Sequence, residues 1–229
     1  MKHVLSLMLL MALLISCDNS DKKIDHDAIS IQKLKKDSSE IEIADLPILM
    51  DSTDYLIHPI GHIREYSSRY SSESDHTYFN VSNHNSHSIR GDFSNIKFQH
   101  IDTSELKPLF DKVVKISSIH FLNNRSKNAE IDFIVYKVKD MDSNGDSKLN
   151  FLDINALYIS KTDGSNLKKL TNPLDQIVDW KVIPELNRLY FKSISDTNKN
   201  GDFDKEDAIH YNYVNLDSNI LKVETYHPI

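Results

Sequence analysis

Two twelve-residue stretches, fifty-four positions apart, repeat one pattern of oxygen-bearing side chains. The first runs from Asp142 to Asp153 as D-S-N-G-D-S-K-L-N-F-L-D, the second from Asp196 to Asp207 as D-T-N-K-N-G-D-F-D-K-E-D. Positions 1, 3, 5, 9 and 12 carry Asp142, Asn144, Asp146, Asn150 and Asp153 in one loop. In the other they carry Asp196, Asn198, Asn200, Asp204 and Asp207. Position 7 acts through its backbone carbonyl, so Lys148 and Asp202 are both allowed there. This spacing wraps carboxylates, amides and a carbonyl around one centre, the coordination a hard cation such as Ca²⁺ takes. Leu149 and Phe203, apolar at position 8 of both, are expected to pin the loops to a core.

The ligand spacing resembles that of EF-hands and dockerins, but the flanks do not. F-I-V-Y-K-V before the first loop and I-N-A-L-Y-I-S after it alternate with period two, as strands do. The expectation is therefore of Ca²⁺ loops set on β-hairpins. Position 6, usually Gly, is Gly201 in one loop and Ser147 in the other, with Gly145 two places earlier. A register starting at Asp140 would put Gly145 at position 6, but Phe151 then falls at position 12 and cannot coordinate. Both loops end in Asp rather than the longer bidentate Glu, and Lys148 weakens the first. Dissociation constants of about 10⁻⁵ to 10⁻³ M are expected. The competing reading is that Asp, Asn and Gly simply turn the chain. Two loops in register at equivalent repeat positions weigh against it.

The repeat extends beyond the loops. I-D-T-S-E-L-K-P-L from Ile101, T-D-G-S-N-L-K-K-L from Thr162 and L-D-S-N-I-L-K-V-E from Leu216 align without gaps. Upstream, 116–122 aligns with 177–183 and Tyr136 with Tyr190, with the length difference assigned to 123–130. Each unit reads as four short antiparallel strands, with the acidic loop joining the second to the third. The second unit spans 116–122, 131–139, 155–161 and 166–171; the third spans 177–183, 188–194, 208–215 and 219–224. A fainter first unit has strands near 55–60, 77–81, 96–101 and 106–110, joined by a connection over 82–93. The fold class expected is all-β, a propeller-like array of about three blades, with units near 51–110, 111–171 and 172–229. Leu157, Ile159, Asp163, Gly164, Leu167, Leu170 and Thr171 carry a resemblance to TolB-like propeller repeats over about residues 95–225. That resemblance implies blades, yet propellers usually close with four to eight. Either the ring is open, or 29–50 completes a sheet, or chains associate to cover the edges.

The N-terminus reads as a targeting segment. Lys2 precedes an apolar run from Val4 to Ile15, too short to span a bilayer, and it ends in Leu14-Ile15-Ser16-Cys17. This resembles the lipobox of bacterial lipoproteins, which implies removal of 1–16 and lipidation of Cys17, the only cysteine. The expected location is a membrane surface of the cell envelope, at the periplasmic or outer-membrane face. Residues 18–27 read as a polar tether, and 29–36 as a weak helical turn.

The chain carries a formal net charge of −7, and loss of the single Lys in 1–16 leaves −8. That acidity argues against a nucleic-acid partner. His84 and His87, with His76 nearby, and the pair His58 and His62 are too loosely spaced for a transition-metal site. Trp180, aligned with Ile119, is expected in the core. No nucleophile elbow, phosphate loop or zinc-protease motif appears, so the reading is non-enzymatic. The function expected is a lipid-anchored, Ca²⁺-binding scaffold or binding module with a protein or glycan partner. The alternative is a hydrolase or carbohydrate-processing accessory using a cleft between blades.

Overall fold

The computed structural model describes residues 22–27, 40–50, 53–64, 83–85, 88–126, 129–218 and 220–229. Its first strands are β1 (Glu40–Ala44), β2 (Ile48–Leu49), β3 (Tyr55–Arg64), β4 (Asn83–Asn85), β5 (Ser88–Phe93), β6 (Asn95–His100) and β7 (Lys107–Pro108). There follow β8 (Lys115–Ser126), β9 (Ala129–Lys139), β10 (Ala156–Lys161) and β11 (Lys168–Lys169). The last four are β12 (Gln176–Ile183), β13 (Arg188–Ser195), β14 (Ala208–Asn215) and β15 (Val223–Thr225).

The protein is all-β, built as three antiparallel sheets, none of which closes on itself. The first has the order β1-β3-β6-β7, with β2 beside β3. The second runs β11-β10-β9-β8-β5-β4, and the third β12-β13-β14-β15. The second sheet is the middle layer of the core. Ile134, Tyr136, Val138, Ala156 and Tyr158 pack with the first sheet, while Phe133, Val135, Leu157 and Ile159 pack with the third. A sheet covered on both faces needs apolar side chains at consecutive positions, which is why β9 and β10 carry near-continuous apolar runs. Burying each large apolar side chain contributes about 1.5–3 kcal/mol.

The repeat reaches the backbone. The pairing of β8 with β9 slips between Ile116 and Ser118, and that of β12 with β13 slips between Ile177 and Asp179. These bulges fall at positions the sequence already aligns. The second strands need a one-residue correction. Tyr136 pairs with Ile119 and Phe191 with Trp180, so Tyr136 corresponds to Phe191, not to Tyr190. Ile116 pairs with Val138, twenty-two residues on, and Ile177 with Ser193, sixteen on. The first hairpin accordingly accounts for six of the seven extra residues. The seventh lies between strand and loop, where Val138 is four residues from Asp142 but Ser193 only three from Asp196.

The first unit differs more. Its connection over 82–93 contains β4 and β5, and β5 pairs with β8 of the middle sheet, so this stretch is not a loop of the first sheet. With those residues given to its neighbour, β3 pairs directly with β6. The first sheet gains β1 and β2 along the other edge of β3, so residues within 29–50 do complete a sheet. The expected strand at 77–81 and helical turn at 29–36 lie outside the described residues. So does Cys17, with the whole apolar run before it. No helix of the described residues is long and apolar enough to cross a membrane.

Candidate metal centre

Each acidic loop joins the second to the third strand of a meander, β9 to β10 and β13 to β14. Most of their hydrogen bonds match position by position, although Asp142 Oδ1 also accepts the Gly145 N–H at 2.8 Å and Asp196 Oδ1 has no such bond. Position 1 accepts the N–H of position 6, Ser147 to Asp142 Oδ2 at 2.7 Å and Gly201 to Asp196 Oδ2 at 2.8 Å. Position 3 accepts from position 5, Asp146 to Asn144 Oδ1 at 3.2 Å and Asn200 to Asn198 Oδ1 at 2.9 Å. Position 5 accepts from position 7, Lys148 to Asp146 at 2.8 Å and Asp202 to Asn200 at 2.9 Å. Position 12 accepts from positions 2 and 9. Asp153 takes the N–H groups of Ser143 at 2.8 Å and Asn150 at 2.7 Å. Asp207 takes those of Thr197 and Asp204, both at 2.9 Å.

The loops also share a link between positions 5 and 9 with the partners exchanged. Asn150 Nδ2 donates to Asp146 Oδ2 at 3.0 Å, and Asn200 Nδ2 donates to Asp204 Oδ2 at 3.0 Å. Each loop holds one amide and one carboxylate there, so both present three aspartates and two asparagines. The backbone matches as well. Gly145 (φ 77°) and Lys199 (φ 59°) at position 4, and Ser147 (φ 63°) and Gly201 (φ 91°) at position 6, all lie in the left-handed region. Two such residues are required, and each loop supplies its single Gly to a different one. The misplaced Gly of the first loop thus fits the Asp142 register.

Residues 22–27 join the two loops. Gly201 O accepts the N–H groups of Lys23 at 2.8 Å and Ile24 at 3.0 Å. Ser143 O accepts the Asp25 N–H at 2.8 Å, and Ser143 Oγ donates to Lys23 O at 2.8 Å. His26 Nε2 lies 2.9 Å from Asp196 Oδ2. Ile24 is buried, 1% exposed. This stretch is therefore a docked clasp and not a free tether, because Ile24 is buried and the backbone groups around it find partners in the loops. Leu149 and Phe203 are only half-buried and belong to neither core cluster, so position 8 does not pin the loops. The clasp residues and position 2 were missed from sequence; small hydroxyls at both Ser143 and Thr197 were the available signal.

The electrostatics of the two loops diverge at position 12. Burial pushes the Asp153 carboxyl up from its ordinary value, against the N–H groups of Asn150 and Ser143, and Asp142 adds to the rise. In half-buried Asp207 the N–H of Asp204 leads in holding the carboxyl down. Among the described residues, no group of three or more His, Cys, Asp or Glu side chains stands ready to hold a metal ion. Most of the loop carboxylate oxygens are turned to N–H groups. Asp196 Oδ1 is the exception: it is buried, on a side chain with 0% exposure, and has no hydrogen-bond partner. A buried anionic oxygen left unpaired is costly, and a cation at position 1 would complete it.

The other candidates separate. His58 Nε2 contacts Gln99 Oε1 at 2.8 Å. His76 and His87 lie outside the described residues, and His84 falls in β4. Ser195 Oγ donates to Asp175 and lies 2.8 Å from His210 Nε2. Here the carboxylate holds the serine rather than orienting the imidazole, the reverse of a nucleophile relay. Trp180 is not a full core residue; it packs on the edge of the second cluster and borders a cavity. No protein-family model matches the chain, and no curated protein matches it either.

Proposed function

We propose that the chain is a lipid-anchored cell-envelope module that binds Ca²⁺ through both acidic loops as a structural ion and serves as a binding or scaffold part. The unpartnered, buried Asp196 Oδ1 carries the reading, because it sits at position 1 of a loop whose hydrogen-bond frame is duplicated in a second loop. The ligands are Asp142, Asn144, Asp146, Asn150 and Asp153 with the Lys148 carbonyl. In the second loop they are Asp196, Asn198, Asn200, Asp204 and Asp207 with the Asp202 carbonyl. Three antiparallel sheets, two of them with equivalent bulges, support an open, propeller-like arrangement. The lipobox-like run ending at Cys17 supports the anchor. At a dissociation constant of about 10⁻⁴ M, 10 mM Ca²⁺ stabilises the fold by about 2.7 kcal/mol per site. Thermal melts in Ca²⁺ and in EDTA test the metal; an unchanged midpoint would refute it. Labelled palmitate fed to cells expressing the wild type and Cys17→Ser tests the anchor, with label expected on the wild type alone.

The alternative, a carbohydrate-processing accessory with a cleft between blades, draws on one observation, the cavity beside Trp180.

A further inference from the structure

The two position-1 aspartates sit in different surroundings. Asp142 is half-buried, and both its oxygens accept N–H groups, Gly145 on Oδ1 at 2.8 Å and Ser147 on Oδ2 at 2.7 Å. The Asp196 side chain is fully buried. Its Oδ2 accepts twice, from the Gly201 N–H at 2.8 Å and from His26 Nε2 at 2.9 Å, while its Oδ1 has no partner. A carboxylate oxygen only accepts, so His26 Nε2 carries the hydrogen of that contact.

The clasp over 22–27 makes the difference. His26 touches the Asp196 carboxylate itself. The residues before it lie on Gly201, whose carbonyl accepts the Lys23 and Ile24 N–H groups. The approach is close, since a Cβ on Gly201 would stand 2.7 Å from Ile24 O and 2.9 Å from Lys22 Cδ. In the first loop the clasp bonds Ser143, at position 2, and leaves position 1 half-buried.

Docked and released clasps therefore differ in their use for a cation. Docked over an empty second loop, the clasp seals an anionic oxygen from water without a partner, which is costly. Released, it leaves that oxygen to water. A cation on Asp196 Oδ1 removes the cost of docking, so calcium binds the docked state more tightly. The effect is reciprocal: docking raises the affinity of the second loop by the same factor by which calcium favours docking. His26 contributes by fixing the carboxylate through Oδ2, as outer-shell partners of metal ligands do, and leaves Oδ1 for the ion.

We propose that residues 22–27 are a calcium-dependent latch, closed over the second loop when that loop is loaded and released when calcium is withdrawn. Ile24 and His26 are positioning residues for that site. This latch rests on the calcium reading of the loops and adds a moving part to one of them.

Amide exchange reads the latch, and calorimetry reads the metal. Exchange at Lys23, Ile24 and Asp25, which donate to the two loops, is followed in 10 mM Ca²⁺ and in EDTA against Val135 and Ile159 of the core. Relative to that core pair, the three clasp amides should exchange about tenfold or more faster in EDTA than in Ca²⁺. Calcium titrations of His26→Ala and Ile24→Ala in an Asp142→Ala background, which keeps the second site, should each show binding weakened about fivefold or more. In an Asp196→Ala background, which keeps the first site, the same changes should matter less. His26→Ala replaces a half-buried side chain and keeps the test open should Ile24→Ala fail to fold. An unchanged exchange ratio, a second site unmoved by both substitutions, or equal weakening of both sites would overturn the latch. Saturable calcium heat in the wild type beside any of these results leaves the metal reading standing without the latch, whereas its absence removes both.

Discussion

His26 Nε2 stands 2.9 Å from Asp196 Oδ2, a contact that joins residues 170 positions apart and ties the N-terminal clasp to the first ligand of the second acidic loop. Ile24, buried between the same loops, anchors that clasp. Ile24→Ala is expected to destabilise the protein by about 2–5 kcal/mol, the cost of emptying a buried aliphatic site. Urea unfolding measures it; a change below about 0.5 kcal/mol would mean that 22–27 is only a tether.

The exchange of glycine between positions 4 and 6 makes a second prediction. Ser147 and Lys199 occupy left-handed backbone that costs a side chain roughly 1–2 kcal/mol. Ser147→Gly should therefore stabilise the first loop by about 1 kcal/mol. Gly201→Ala should do the reverse by about 2 kcal/mol or more, since its Cβ would meet Ile24 O at 2.7 Å. Denaturant midpoints of the two variants should move in opposite directions.

Asp140 sits just before the first loop and receives Lys169 Nζ at 3.0 Å, Tyr158 OH at 2.7 Å and Lys112 Nζ at 3.4 Å. Burial pushes its carboxyl up, but Lys169, the Tyr158 hydroxyl and Lys112 together hold it below its ordinary value. A lowered carboxyl contributes stability above its unfolded value of about 3.9, and that contribution is lost as pH falls through the folded value. Asp140→Asn should cost about 3 kcal/mol near neutrality, because it strands a partly buried ammonium. The gap between variant and wild type should narrow in melts below about pH 4.

His120 adds a loss of stability on acidification at higher pH. Its folded value is lowered, first by burial and then by Arg90 and Lys137. The unfolded chain therefore binds the proton first. Stability should be full above about pH 6.5 and decline as pH drops toward the folded value. His120→Asn should flatten this part of the melting profile between pH 6.5 and 5. An unaltered slope in the variant would contradict the assignment.

Much of the architecture was legible because it rests on periodicity. The third unit's expected strands at 177–183, 188–194 and 208–215 correspond to β12, β13 and β14 within one residue at each end. What stayed hidden was non-local. Nothing local in S-I-R-G-D-F shows that β5 leaves its own unit to cover the edge of β8. The Tyr136 misalignment arose because identity suggested Tyr190, whereas hydrogen bonds set the register. In the candidate site the ligand spacing was visible. The clasp was not, since a polar segment gives no sign of docking until the two loops are side by side. The cavity also escaped sequence reading, because its residues come from four strands and are gathered by bulges.

Calorimetric Ca²⁺ titration of residues 18–229 beside Asp142→Ala and Asp196→Ala tests the central claim most directly. The account predicts two ions per chain, one lost in each variant, with dissociation constants of about 10⁻⁵ to 10⁻³ M. Absence of saturable heat in the wild type, with no EDTA effect on melting, would contradict it and leave both loops as turns held together by their own hydrogen bonds.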